Sequence, residues 1–183
     1  MNAKMKKIHL IPISLLMISC LIPSTFTACS SAKGRHTLFK NGQSDYVIVV
    51  PADASESEET AARELHDYLL QIGNVDLPVC TYPDVPGENL STGKCIYVGM
   101  RGSGTEETRS PEDEGFTVRS DGNSISIVGG KRRGTMYGVY SFLEKAFGVR
   151  WYTPWFTKVP SLDKWRFGEI EYSESPAIQY RYV

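Results

Sequence analysis

Arg150, Trp151, Tyr152, Trp155 and Phe156 crowd into one short stretch of this 183-residue chain. They are its best candidates for chemistry at a surface. Aromatic rings stack on sugar faces, and arginine or tyrosine bonds sugar hydroxyls, so the cluster suits a carbohydrate site. The same rings also suit an apolar joint between domains. The rest of the chain offers less. Cys80 and Cys95 are either a disulfide, if the chain is exported, or two buried thiols acting as small apolar residues. His9, His36 and His66 are scattered. No His-x-x-x-His or Cys-x-x-Cys spacing is present, so neither a metal nor another cofactor is expected. Gly129-Gly130-Lys131-Arg132-Arg133-Gly134 is glycine-rich, basic and ahead of a helix, as an anion cradle would be. It lacks the phosphate-loop pattern, and turn chemistry alone explains its glycines. Glu112-Asp113-Glu114 fits a solvated loop better than a catalytic pair.

The elements that must position these residues are legible in the periodicity. Asp45 to Pro51 contains a continuously apolar strand, as expected when both faces are covered. Ser55 with Glu58 three residues on is a capping box, opening a helix through Ala61, Leu65, Leu69 and Ile72. Glu56, Glu58 and Glu59 suit its first turn, and Gly73-Asn74 ends it. Strands are expected at Pro78–Tyr82 and Cys95–Val98, with a loop from Pro83 to Gly93 between them. Asp121-Gly122-Asn123 signals a hairpin between Glu114–Ser120 and Ser124–Gly129. A second helix runs from Arg133 to its end at Gly148, with Met136, Val139, Tyr140, Leu143 and Phe147 on one face. Leu143 sits at the centre of that face and is a predicted core position. Gly134 and Gly138 fall on the other side, a smooth strip facing either a partner or solvent. Val149–Tyr152 and Arg166–Tyr172 read as strands. The order β-α-β-β-β-β-α-β predicts an α+β fold, a mixed sheet with two helices packed on it.

The first 28 residues read as a targeting segment. Lys4, Lys6 and Lys7 precede an apolar run, Leu10 to Ile22, that is short for a membrane span. Phe26-Thr27-Ala28-Cys29 then resembles a lipobox, which predicts lipidation at Cys29. Cys20 is a second candidate inside the apolar run, and an ordinary secretory signal is the alternative to both. The expectation is an exported chain, lipid-anchored to a bacterial cell envelope, with the membrane as a partner. Residues 29–44 are expected to be a flexible tether, 45–172 the folded domain, and 173–183 the start of something further. The chain carries a formal charge of −1. Loss of the three N-terminal lysines would make it more acidic, so nucleic acid is not an expected partner.

Arg133 to Glu144 follows the pattern R-G-x-x-Y-G-V-Y-x-F-L-E, and Gly148 to Pro154 follows G-V-R-W-Y-x-P. Together these resemble the second half of the non-catalytic α/β domain that precedes the catalytic barrel in family 20 β-hexosaminidases and family 67 α-glucuronidases. They are similar, too, to bacterial lipoprotein relatives of those enzymes. The resemblance covers roughly Tyr46 to Val183. It implies a zincin-like domain of hexosaminidase type, without the zinc-binding helix motif. It also implies that the segment holding Trp151 and Trp155 lies near a barrel, so that one of these rings is exposed without it. Pro176 to Arg181 resembles the entry into that barrel, which needs roughly 200 residues more. The paired acids of glycoside chemistry sit on the barrel, so no catalytic residue is expected here. The expected function is that of a non-catalytic domain in polysaccharide or glycan breakdown, as a truncated or split product. The alternatives are a stand-alone glycan-binding surface lipoprotein and a module that docks a separately encoded barrel.

Overall fold

The structure is a computed structural model. It describes residues 36–100, 102, 114–130 and 133–175. The targeting segment, Cys20, Cys29, Lys131, Arg132, Glu112, Asp113 and Pro176 to Arg181 lie outside the described residues.

The fold is α+β. Its centre is a six-stranded mixed sheet. Strands β2 (Val47–Val50), β3 (Val79–Thr81), β4 (Cys95–Val98) and β6 (Ser124–Gly129) run parallel, with β2 between β3 and β4 and with β6 beside β4. β5 (Phe116–Asp121) and β10 (Glu171–Glu174) extend the sheet antiparallel beyond β6. Every residue of β2 and β4 is buried, because both faces of the parallel core are covered. Two helices cover one face. Helix α1 (Glu56–Gly73) opens on the expected capping box. Glu58 N donates to Ser55 Oγ at 3.3 Å, and Ser55 N donates to Glu58 Oε2 at 2.9 Å. Asn74, in the left-handed region, ends it. Helix α3 (Gly134–Phe142) packs beside α1 over β5 and β6. Its chain continues into a π-helical turn, Leu143–Phe147, closed by Gly148 at φ 79°. Leu143 is fully buried, as its position on the apolar face predicts.

Several expectations are corrected. Gly134 and Gly138 do not form a strip for a partner or for solvent; both are buried against the protein's own sheet. A Cβ at Gly138 would stand 2.8 Å from Ile127 Cγ2, and one at Gly129 would stand 2.1 Å from the Gly134 carbonyl carbon. The glycines are there so that α3 can lie close on β6. The tether expected through residue 44 is folded from His36 on. Strand β1 (His36–Lys40) pairs antiparallel with β9 (Lys164–Phe167), and Leu38 and Phe39 are each 1% exposed. Phe39 stacks on Phe147 at 6.4 Å and lies against Gly73. The burial of two large apolar side chains outweighs the polar character of their neighbours.

The expected loop between Pro83 and Gly93 contains a short helix, α2 (Gly87–Thr92). With Val85 and Leu90 this segment covers the other face of the sheet, over Val47, Val49, Cys95 and Tyr97. The strand expected over Arg166–Tyr172 is two strands in two different sheets, β9 and β10. Ser120 fixes the break between them: its hydroxyl accepts from Ile170 N at 2.7 Å and donates to the Gly168 carbonyl at 3.1 Å. The strand expected over Val149–Tyr152 is outside the main sheet. It becomes β7 (Arg150–Thr153), which pairs with β8 (Phe156–Lys158) as a separate ribbon.

Candidate functional site

The β7–β8 ribbon brings all five singled-out residues together. Its register pairs Arg150 with Lys158, Trp151 with Thr157 and Thr153 with Phe156, with an irregularity at Tyr152. Pro154 and Trp155 form the turn. Trp151 is the ring that holds the ribbon to the domain. Its Nε1–H donates to Tyr68 Oη at 2.7 Å, and its ring meets Tyr68 and Tyr140 edge-on at 5.6 and 5.2 Å. Tyr68 comes from α1 and Tyr140 from α3, so both helices seat the ribbon. Burial raises the Tyr140 phenol above its ordinary pKa, and the neighbouring Glu64 carboxylate adds to the rise.

The other rings face outward. Trp155 is 89% exposed, Tyr152 61% and Phe156 58%. Tyr152 and Phe156 stack on each other, 5.7 Å apart at 18°. The sequence expectation of at least one exposed tryptophan is met by Trp155, with Trp151 itself 37% exposed. At the base of the ribbon Arg150 donates to the carbonyls of Glu144 and Val149, and its guanidinium lies 3.2 Å from the Glu144 carboxylate. Lys158, directly across the strand pair, is exposed.

Sequence reasoning missed Tyr68, Tyr140 and Glu144 as supports of this ribbon. It also missed a groove of about 420 Å³ beside it in sequence but separate in structure, lined by Phe142, Lys145, Trp165, Ile170 and Tyr172 among others. Trp165 is locked there by its Nε1–H bond to the Ala146 carbonyl at 3.1 Å. Lys145 lies over the Tyr172 ring, 4.1 Å from its centre, and pairs with Glu174.

The remaining candidates take structural places. Cys80 and Cys95 are free thiols on β3 and β4, the two strands that flank β2, so they are not on adjacent strands. Burial raises the Cys95 thiol above its usual pKa. His66 bridges Asp67 and Asp76 at 2.9 and 3.0 Å, and those two hydrogen bonds raise its pKa. Arg133 stands at the N-terminus of α3. Among the described residues no group of three or more His, Cys, Asp or Glu is placed to hold a metal ion.

The fold and the ribbon define an α+β module whose helices and sheet are given over to packing and whose exposed feature is an aromatic surface. Residues 35–142, more than half of the chain and running from the start of β1 to the end of α3, match the family described as Glycosyl hydrolase family 67 N-terminus, and the chain belongs to that family. It is 28% identical over 148 residues to an α-glucuronidase of Hypocrea jecorina, an alignment covering 69% of this chain and 16% of that enzyme. The chain thus spans about one sixth of the curated relative it matches. Among solved structures it is similar to a family GH115 4-O-methyl-α-glucuronidase with specificity for decorated arabinogalactans, at 19% identity and a TM-score of 0.49, over 75% of this chain and 18% of that one. A GH138 enzyme targeting pectin rhamnogalacturonan II matches at 20% identity and a TM-score of 0.37, over 55% of this chain and 14% of that one. The family match begins earlier than the expected Tyr46 and takes in β1. It lies on the family 67 side of the expected resemblance and lends no support to the family 20 β-hexosaminidase side.

Proposed function

We propose that this chain is the non-catalytic N-terminal domain of an exported, glucuronidase-like glycoside hydrolase that works on polysaccharide or glycan. The single observation behind this reading is the family 67 N-terminus match over residues 35–142. A catalytic domain is then the partner of this one, and glycan contact is made in its company. The lipobox-like Thr27-Ala28-Cys29 supports export and lipid anchoring at the cell envelope.

The test is activity. The full chain should leave aryl α-glucuronides intact at enzyme concentrations where a whole family 67 enzyme turns them over. Turnover above a buffer blank, lost on replacing one of the chain's own carboxylates, would overturn the reading. Anchoring is checked by fractionation: the wild type should sediment with membranes and Cys29→Ser should not.

A further inference from the structure

We infer that the outward face of the β1–β9 strand pair rests on an anionic phospholipid surface, the one in which a lipid on Cys29 would be anchored. The inference rests on the lipid anchoring proposed above.

The register of β1 and β9 puts Lys40 directly opposite Lys164 and Thr37 directly opposite Arg166. All four are exposed. Side chains alternate along a strand, so Lys164 and Arg166 share one face, and Trp165 and Phe167 share the other. The inner face is committed to the core. Phe39 and Phe167 are buried, and Trp165 packs on Phe142 and Phe147. The outer face is therefore a cationic stripe on a firmly packed mount. Packing does not require it. Like charges directly opposite each other oppose strand pairing, and Thr37 shows that a neutral residue fits this face. The fold does not neutralise the stripe either. Among the described residues, Lys94, Lys145 and Arg150 each have a carboxylate partner, whereas Lys40, Lys164 and Arg166 have none. Asp163 and Glu169 flank β9, and neither pairs with the stripe. The chain as a whole carries a formal charge of −1, so the stripe is a local concentration of charge whose complement lies outside the domain.

The course of the chain selects the anion. Strand β1 begins at His36, whose register partner Phe167 is next to Arg166. Cys29 lies seven residues ahead of His36. Seven residues span at most about 25 Å, so a lipid on Cys29 keeps the stripe within reach of the headgroups. An anionic leaflet attracts cations that come within about 8–10 Å of it. Each lysine or arginine brought there strengthens attachment about fivefold. Three are too few to hold a chain at the surface without the lipid. They are enough to set which side of an anchored domain faces it. An acidic polysaccharide would offer the same charge but no tether, so the membrane is the better fit.

The experiment takes the chain as isolated from cell membranes and reconstitutes it in phosphatidylcholine vesicles with or without phosphatidylglycerol. Lysine acetylation, located by mass spectrometry, reports which side chains are covered. At low salt Lys40 and Lys164 should react about fivefold more slowly, or slower still, on the phosphatidylglycerol vesicles. High salt should remove the difference. Arg166→Glu, at an exposed position, should restore most of the rate at both lysines. A lipidated chain whose two lysines react equally fast on both vesicles overturns the inference and leaves the anchoring standing, as does slowing that persists in Arg166→Glu. An intact mass without lipid overturns the anchoring and the inference with it. Slowing by soluble polygalacturonate, with none by phosphatidylglycerol, overturns the inference in favour of an acidic glycan. None of these outcomes alters the aryl glucuronide assay, which judges the proposed function separately.

Discussion

Thr135 donates its hydroxyl proton to Glu58 Oε1 at 3.4 Å and accepts from Gly129 N at 3.1 Å. The two side chains are 77 residues apart and both are buried. Glu58 already serves the first turn of α1 through the capping box, and Thr135 sits in the first turn of α3. One carboxylate therefore joins the N-termini of both helices to the end of β6. The favourable field of two helix N-termini helps to hold a carboxylate away from water. Gly99 makes room for it, since a Cβ there would stand 2.6 Å from Glu58 Oε1.

Thr135→Val keeps the shape and removes the hydroxyl. The Gly129 N–H and the Glu58 oxygen both lose a buried partner, which costs about 1–3 kcal/mol. Thr135→Ser, which keeps the hydroxyl, should cost less. Urea unfolding of the two variants makes the comparison. Equal midpoints for Val and wild type would show that the contact contributes nothing.

Gly138 separates two physical effects of opposite sign. Helix propensity alone predicts that Gly138→Ala stabilises by about 1 kcal/mol. Close packing predicts the reverse, because the new methyl would meet Ile127 at 2.8 Å and Phe116 at 3.3 Å. We expect destabilisation of about 1–3 kcal/mol. Gly87→Ala, where nothing lies within 4 Å, is the control and should be neutral or stabilising. Thermal unfolding decides it: a raised Tm for Gly138→Ala would mean that α3 stands off the sheet.

These two sites show what could be read in advance and what could not. The capping box of α1, the apolar β2 strand and the Asp121-Gly122-Asn123 hairpin rest on neighbours within a few residues, so the sequence carries them directly. The role of Gly138 depends on Ile127 in another element, and a glycine four residues from another fits a solvent face equally well. Strand β1 exists because it pairs with β9, far along the chain, and no local pattern announces that. In the ribbon the exposed aromatics were identifiable by type and crowding. Their support was not. Tyr68 and Tyr140 sit on two different helices, and only the packing of α1 against α3 brings both to Trp151.

His66 should make stability fall with rising pH. Its pKa is raised in the fold by hydrogen bonds to Asp67 and then Asp76. The folded state therefore holds the proton more tightly than the unfolded state. The contribution is complete below the ordinary histidine value of about 6.5 and is lost as pH rises through the raised value. The site is partly exposed, so salt should weaken the effect. The measurement is Tm against pH for wild type and His66→Gln. The wild-type advantage at pH 5 should shrink by pH 9; an advantage that grows would reverse the sign and sink the assignment.

Trp151 should control the ribbon without controlling the fold. The ribbon lies outside the six-stranded sheet, and all four residues of β7 are exposed. Its attachment runs through the Trp151 N–H to Tyr68, the edge-on contacts to Tyr68 and Tyr140, and the Arg150 bonds to Glu144. Trp151→Phe keeps an aromatic ring and loses the donor. Global unfolding should change little, within about 0.5–1.5 kcal/mol, the worth of one hydrogen bond. Local opening should change more, because such segments open without the core. Trypsin, which cleaves after Arg150 and Lys158, reports that opening. Cleavage there should quicken severalfold in Trp151→Phe at an almost unchanged Tm. If cleavage stays at the wild-type rate, the Tyr68 bond does not seat the ribbon, and the ring contacts together with the Arg150–Glu144 contacts hold it.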